Sequence, residues 1–316
     1  VIGITTIYFS GGWNNFISAF HEIINKDLVN KNNLTPSGHS SLVAIPGSIQ
    51  FVSHGSKSIG GPWTGMMCLT YMFALMGIQA SPAFSMWAFS NKNSSAFRWQ
   101  QVIASYLIIG IILFTFTIIQ GIGGHVLVLN DVIQNVNDKN LVPKLINLLS
   151  SSFPWLVGLL AVCALAAMQS TGSGYMSTFS AMVIKDIYLK FLNKNASDKN
   201  QKNSGRLIVI LIAVIAIVVA ANTTSAIVML GGLAVAYGFQ MYPALLGICY
   251  FKWFSTKGII FGLVAGLITV TLTDKTSIWF GLPWGSYPLT IHSAGWGIFI
   301  NLIVTITASF FIKDDK

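Results

Sequence analysis

Apolar residues arrive in long blocks along the chain, at 62–90, 99–120, 154–181, 206–221, 224–250, 258–273 and 294–312, with short polar gaps between them. About 20 apolar residues at a 1.5 Å rise cross the hydrocarbon core of a bilayer, so each block predicts a membrane-spanning helix. The block at 258–273 is short, and is expected to extend or to thin the bilayer locally. Residues 1–10 (VIGITTIYFS) are too few to span, and they begin in mid-apolar text without an initiator Met. They are read as the tail of a span that starts upstream. The short gaps make successive spans antiparallel.

Composition agrees with this reading. The 316 residues are 53% hydrophobic and 9% charged, with a mean hydropathy of +0.68. Soluble domains carry roughly 25% charged residues. The net charge of +9 does not point to nucleic acid, because the basic residues sit in the gaps between spans. Twelve of the 18 basic residues, including Lys92, Arg98, Lys185, Lys202, Arg206 and Lys257, fall in one set of gaps, and six fall in the other. Basic residues favour the cytoplasmic side, so the loops 11–60, 121–153 and 274–293 are expected to be extracytoplasmic. All five histidines lie in or beside those loops and are expected to be solvated or interfacial. Cys68, Cys163 and Cys249 all lie inside apolar runs without CxxC spacing, which suits small hydrophobes rather than a disulfide or metal site. No nucleophile–base set, metal cluster or phosphate loop stands out, so the chain is not read as an enzyme.

No Asp, Glu, Lys, Arg or His lies in the middle of a complete span. Proton-coupled carriers usually place a titratable group at membrane depth. An ion handled by this part of the protein would meet neutral oxygens, which suits a hard monovalent cation such as Na+.

Three spans carry polar or helix-breaking residues at depth, where such groups survive only against protein or a wet cavity. In 62–90, Gly77 precedes Gln79, Ser81 and Pro82, and Pro82 removes a backbone donor and frees a carbonyl one turn earlier. In 154–181 the apolar text is interrupted by Gln169, Ser170, Thr171, Gly172, Ser173 and Gly174. A cation lodged there could take both hydroxyls and the Ala167 carbonyl one turn back. The alternative is that the hydroxyls bond carbonyls of their own helix. In 224–250, Tyr237 and Gln240 stand close to Gly238 and Pro243, as in a cavity-lining helix. Gln79, Ser81, Tyr237 and Gln240 are the substrate-lining candidates. The 190–205 gap is basic and Asn-rich, and reads as a solvated linker.

The segment from Ala166 to Ser173, continuing to Lys185, Asp186, Ile187 and Tyr188, resembles the "AAxMSTxxS … xEDxY" segment of the sodium/solute symporter family. The 77–82 stretch, Gly205 with Arg206, and the Gly-rich span after Lys257 extend the resemblance over nearly the whole chain. The resemblance implies an all-α membrane protein with a LeuT-like inverted-repeat transporter core, represented by its second repeat plus two peripheral C-terminal helices. In that scheme 1–10 is the tail of core helix 5, 11–60 an extracytoplasmic loop, 61–250 the second repeat with core helices 6 to 10, and 251–316 the two peripheral helices.

By position, the resemblance makes Ser170 and Thr171 hydroxyl ligands of Na+ and Ala167 a carbonyl ligand, the remaining ligands coming from core helix 1 in a missing N-terminal repeat of the same protein. Gln169, Gly172 and Trp87 depart from the proline symporter pattern. The implied function is Na+-coupled symport of a small organic solute across a bacterial inner membrane, with Na+ as coupling ion and no nucleic-acid partner. A proton-coupled or uniporting carrier and a transporter-like membrane sensor are the alternatives.

Overall fold

The computed structural model describes residues 1–25, 47–49, 63–134, 140–222, 227–274 and 287–312. In chain order the helices are α1 (Ile2–Phe9), α2 (Trp13–Asn25), α3 (Gly65–Ala74), α4 (Met76–Ala80), α5 (Pro82–Phe89), α6 (Ser95–Gln100), α7 (Ile111–Leu129), α8 (Leu141–Ser152), α9 (Pro154–Met182), α10 (Asp198–Asn222), α11 (Ile227–Phe239), α12 (Tyr242–Cys249), α13 (Thr256–Thr273) and α14 (Ser293–Phe311). Widened π turns lead into α7 over Gln101–Gly110 and continue α9 over Val183–Leu192. Among the described residues six helical segments are long and apolar enough to cross a membrane: Val102–Val128, Pro154–Leu192, Asp198–Asn222, Leu230–Cys249, Thr256–Thr273 and Ser293–Phe311. A shorter apolar stretch, Gly65–Ala80, matches the start of the 62–90 block.

The chain divides into two compact units, Val1–Phe16 with Met86–Thr224, and Ile17–Ser85 with Ser225–Lys316. In the first unit, α7 runs nine residues beyond its expected end at 120. The glycines there do not stop the helix but serve close packing. A methyl on Gly123 would overlap the Thr6 hydroxyl of α1, and one on Gly124 would lie 2.6 Å from Leu141 Cδ1 of α8. Hydrocarbon offers the backbone no competing hydrogen-bond partner, so glycine breaks a helix less readily there than in water. Inside the expected 121–153 loop, α8 forms an amphipathic helix whose Leu145 joins Leu127 and Ile133 in a buried cluster.

The second unit is built around α13 and α14, the most extensive helix pair in the chain. Gly258, Gly262 and Gly266 recur every four residues as a stripe on α13, and Gly297, Asn301, Thr305 and Ser309 form the facing stripe on α14. Small residues at this spacing let two backbones approach closely, which in lipid replaces the missing hydrophobic drive for association. Beside them, Ala74, Ala236, Phe239, Val270 and Ala294 pack into one apolar cluster.

The break at Pro82 is present as expected. α4 ends at Ala80, Ser81 is extended (φ −69°, ψ 140°) and α5 starts at Pro82. The carbonyl that Pro82 cannot serve is that of Ile78, and the Ser81 hydroxyl donates to it at 2.8 Å. The break is therefore closed within its own turn. A second break separates α11 from α12 at Gln240 and Met241, two residues before Pro243.

Candidate functional site

α9 carries the three proposed ion ligands. Its backbone is helical throughout Pro154–Met182, so the expected interruption is one of polarity and not of backbone. Residues three and four apart share a helix face, which aligns Ala167 with Ser170, Thr171 and Gly174. Ser170 and Thr171 are exposed, and among the described residues their hydroxyls have no hydrogen-bond partner. The next two serines behave differently. Ser173 donates to the Ser170 carbonyl at 3.0 Å and Ser177 to the Gly174 carbonyl at 3.1 Å. Of the two readings open for the hydroxyls on this helix, back-bonding thus applies to Ser173 and Ser177 but not to Ser170 and Thr171.

The Ala167 carbonyl keeps a lone pair beyond its helical rung. A methyl built on Gly174 meets nothing within 4 Å, so there is space beside this face. One carbonyl and two hydroxyls within a single turn make an oxygen-only, uncharged donor set. Such a set fits a hard monovalent cation and does not fit a soft transition metal.

The four substrate-lining candidates lie in the second unit. Gln79 on α4 is exposed. Ser81 is half-buried with its hydroxyl on the Ile78 carbonyl. Tyr237 pairs its hydroxyl with Thr271 Oγ1 of α13 at 2.9 Å. Gln240 is 1% exposed. Its Nε2 donates to the Ala236 carbonyl at 3.1 Å, and Asn301 Nδ2 donates to its backbone carbonyl at 2.9 Å and to its Oε1 at 3.3 Å. Tyr237 and Gln240 thus both turn toward the C-terminal hairpin, and Gln240 is held there at both ends of its amide.

The sequence model of the sodium:solute symporter family matches residues 1–266. The chain belongs to the sodium:solute symporter family. Curated relatives agree. The sodium/proline symporter of Escherichia coli is 31% identical over 130 residues, covering 41% of this chain and 26% of that protein. The sodium/proline symporter of Haemophilus influenzae is 33% identical over 118 residues, covering 37% and 23%. The osmoregulated proline transporter OpuE of Bacillus subtilis is 33% identical over 126 residues, covering 40% and 26%. The matched segments span about a quarter of the length of these relatives. Family membership together with six span-length apolar helices among the described residues makes this a multi-pass integral membrane protein of the plasma membrane, and its family is one of transporters.

The chain also holds a buried polar cluster that its sequence did not announce. His292 was expected at a solvated or interfacial position, but it is 2% exposed. It caps α14, accepting from the Ala294 backbone N–H at its Nδ1 (3.2 Å), while the His292 backbone N–H donates to Thr70 Oγ1 of α3 (2.9 Å). Its ring meets Tyr71 edge-on at 4.8 Å and stacks on Tyr287 at 5.7 Å. Asp274, also buried, accepts from Ser293 Oγ at 2.5 Å and from the Tyr287 hydroxyl. Thr64 and Thr290 share a hydroxyl–hydroxyl bond of 2.8 Å. Tyr287 and Thr290 are held in the left-handed region (φ 56° and 52°), which side chains other than glycine rarely adopt. The signal in the sequence was Asp274 and His292 bracketing one loop; a single sequence does not show that the loop's ends fold back on the hairpin. His21 and His125 are exposed as expected, and His39 and His54 lie outside the described residues.

Burial pushes the His292 imidazole below its ordinary value, opposed in part by the nearby Asp274 carboxylate. Burial first, then the Asp274 charge, pushes the Tyr287 phenol up. A histidine that is harder to protonate when folded adds stability that is complete above its unfolded value of about 6.5 and is lost as pH falls below it. Protonation would also remove the Nδ1 acceptor that caps α14. The melting temperature of the detergent-purified protein should therefore fall as pH drops from 7 to 5. A His292→Asn variant, which keeps a capping acceptor but does not titrate, should show a flatter profile. Equal slopes for the two proteins would rule the histidine out.

Proposed function

We propose that this chain supplies the second inverted repeat and the two following helices of a Na+-coupled symporter with a LeuT-like core, which moves a small organic solute by alternating access. Residues 61–250 would be the repeat, 11–60 an extracytoplasmic loop and 251–316 the peripheral pair. Ser170 and Thr171 would give hydroxyl oxygens to Na+ and Ala167 its carbonyl, with further ligands from an N-terminal repeat. Gln79, Ser81, Tyr237 and Gln240 would stand nearest the solute. Proline, the solute for which these relatives are named, is the first to test.

The observation that carries this reading is the pair of unpartnered hydroxyls on the open face of an unbroken α9, set beside membership in the symporter family. Coupling then follows from linkage. If Na+ and solute both favour one occluded arrangement, each raises the affinity of the other by the same factor.

The test is uptake of labelled proline, and then of other small solutes, by the intact protein in proteoliposomes with and without an inward Na+ gradient. Uptake should require Na+. Ser170→Ala combined with Thr171→Ala should raise the Na+ concentration for half-maximal uptake on the order of 100-fold or more, since each lost ligand is worth about one hydrogen bond to a charged group. Uptake indifferent to Na+ and to both substitutions would end the Na+ reading.

A further inference from the structure

A second site lies in the first unit, at the end of α9 and the start of α10. There the two helices enclose an open cleft of about 690 Å³. The Ser180 hydroxyl donates to the Gly205 carbonyl at 2.9 Å and fixes the level at which the helices meet. A methyl on Gly205 would lie 3.2 Å from that hydroxyl, so the glycine permits the close approach.

Three cations line the mouth: Lys185 from the α9 side, and Lys202 and Arg206 from α10. At 1.5 Å per residue, all three lie within about 8 Å of the Ser180–Gly205 level along the helix axes. Ala181 and Ile184 line the cleft at the level of the cations, and toward the span interior α10 adds Val209 and Ile210 and α9 adds Ser177.

The charges in this cleft are uncompensated. Among the described residues neither Lys185, Lys202 nor Arg206 has a carboxylate partner. Asp186 is engaged by Lys190 at 3.3 Å, and Asp198, one turn before Lys202, makes no ion pair with it. Gathering three like charges around one cleft is unfavourable unless an anion shares it. The charge distribution puts this end of α9 and α10 at the cytoplasmic interface, where anionic phospholipid head groups lie. Along α10 the lining runs from Lys202 and Arg206 to Val209 and Ile210, which follows the order of phosphate and acyl chain in a lipid.

We infer that the cleft between α9 and α10 binds one anionic phospholipid of the inner leaflet, its phosphate held by Lys185, Lys202 and Arg206 and its acyl chain lying against Ile184, Val209 and Ile210. This site is separate from the Ala167–Ser170–Thr171 face and does not depend on how that face is used.

Native mass spectrometry of the detergent-purified intact protein, titrated with phosphatidylglycerol or phosphatidylcholine, tests it. The unaltered protein should retain phosphatidylglycerol in preference to phosphatidylcholine. Each Lys or Arg near an anionic surface is worth about fivefold in binding. The triple variant Lys185→Gln, Lys202→Gln, Arg206→Gln should therefore lose on the order of 100-fold in phosphatidylglycerol affinity and little for phosphatidylcholine. Should the triple variant not elute as a single folded species, Arg206→Gln alone should show the roughly fivefold loss. Lys190→Gln, already paired with Asp186, should change nothing. Equal retention of the two lipids, full retention by the triple variant, or an equal loss with Lys190→Gln would each overturn the assignment. Displacement of the lipid by millimolar inorganic phosphate would also overturn it, by making the ligand a free anion.

Discussion

Gly77→Ala should leave almost no folded protein. A methyl there would overlap the Val235 carbonyl oxygen and stand 2.5 Å from the Phe239 nitrogen and 2.9 Å from its Cα. From the other side, a methyl on Gly238 would stand 2.8 Å from the Gly77 oxygen. All of these obstacles are backbone, so no rotamer change relieves them, and α4 must separate from α11. Overpacking in a tight core usually costs about 1–3 kcal/mol, and backbone on both sides puts this site at or above the upper end. Size-exclusion profiles of the detergent-solubilised protein should show the monodisperse peak replaced by aggregate. Gly231→Ala, also on α11 but with nothing within 4 Å, is the matched control and should elute normally. A normal Gly77→Ala profile would mean that the helices do not cross at this point.

Gly262→Ala should be the next most damaging change. Its methyl would overlap Thr305 Oγ1 and lie 2.6 Å from Asn301 Oδ1 and 2.7 Å from the Asn301 carbonyl. Moving α14 away would also strain the bonds from Asn301 Nδ2 to the Gln240 backbone carbonyl (2.9 Å) and Oε1 (3.3 Å). Such bonds are worth about 0.6–2 kcal/mol each inside a membrane protein, so with the steric term the loss should reach about 3 kcal/mol. Thr305→Ala combined with Gly262→Ala should recover part of it, because it removes the nearest of the three obstacles and leaves the Asn301 side chain and carbonyl in place. Thermal unfolding of the two single variants and the double variant measures the coupling. Simple additivity would mean that the two residues do not face each other.

Much of this architecture was legible in the sequence because lipid imposes a coarse requirement: enough apolar length, and no unsatisfied backbone. That requirement located α9, α10, α13 and α14 and the break at Pro82. It did not locate the end of α7. Gly121, Gly123 and Gly124 read as a terminus in water, but here two of them make room for α1 and α8. Nor did it reveal that α9 stays helical through Gly172 and Gly174, since an apolar surrounding leaves the backbone no other partner. Ser170 and Thr171 stood out because hydroxyls at depth are conspicuous against aliphatic text. His292 did not, because the positions that bury it, Thr70, Tyr71 and Tyr287, are distant in sequence and only the fold brings them together.

The facing stripes of α13 and α14 repeat every four residues, and this limits how the hairpin can move. A slip of one residue along the axis would turn Asn301 away from Gln240 and set a bulky side chain against each glycine. Only a shift of a full repeat, about 6 Å, would bring small residues opposite one another again. Between those positions side chains obstruct the glycines, so the interlocked stripes resist sliding of one helix along the other.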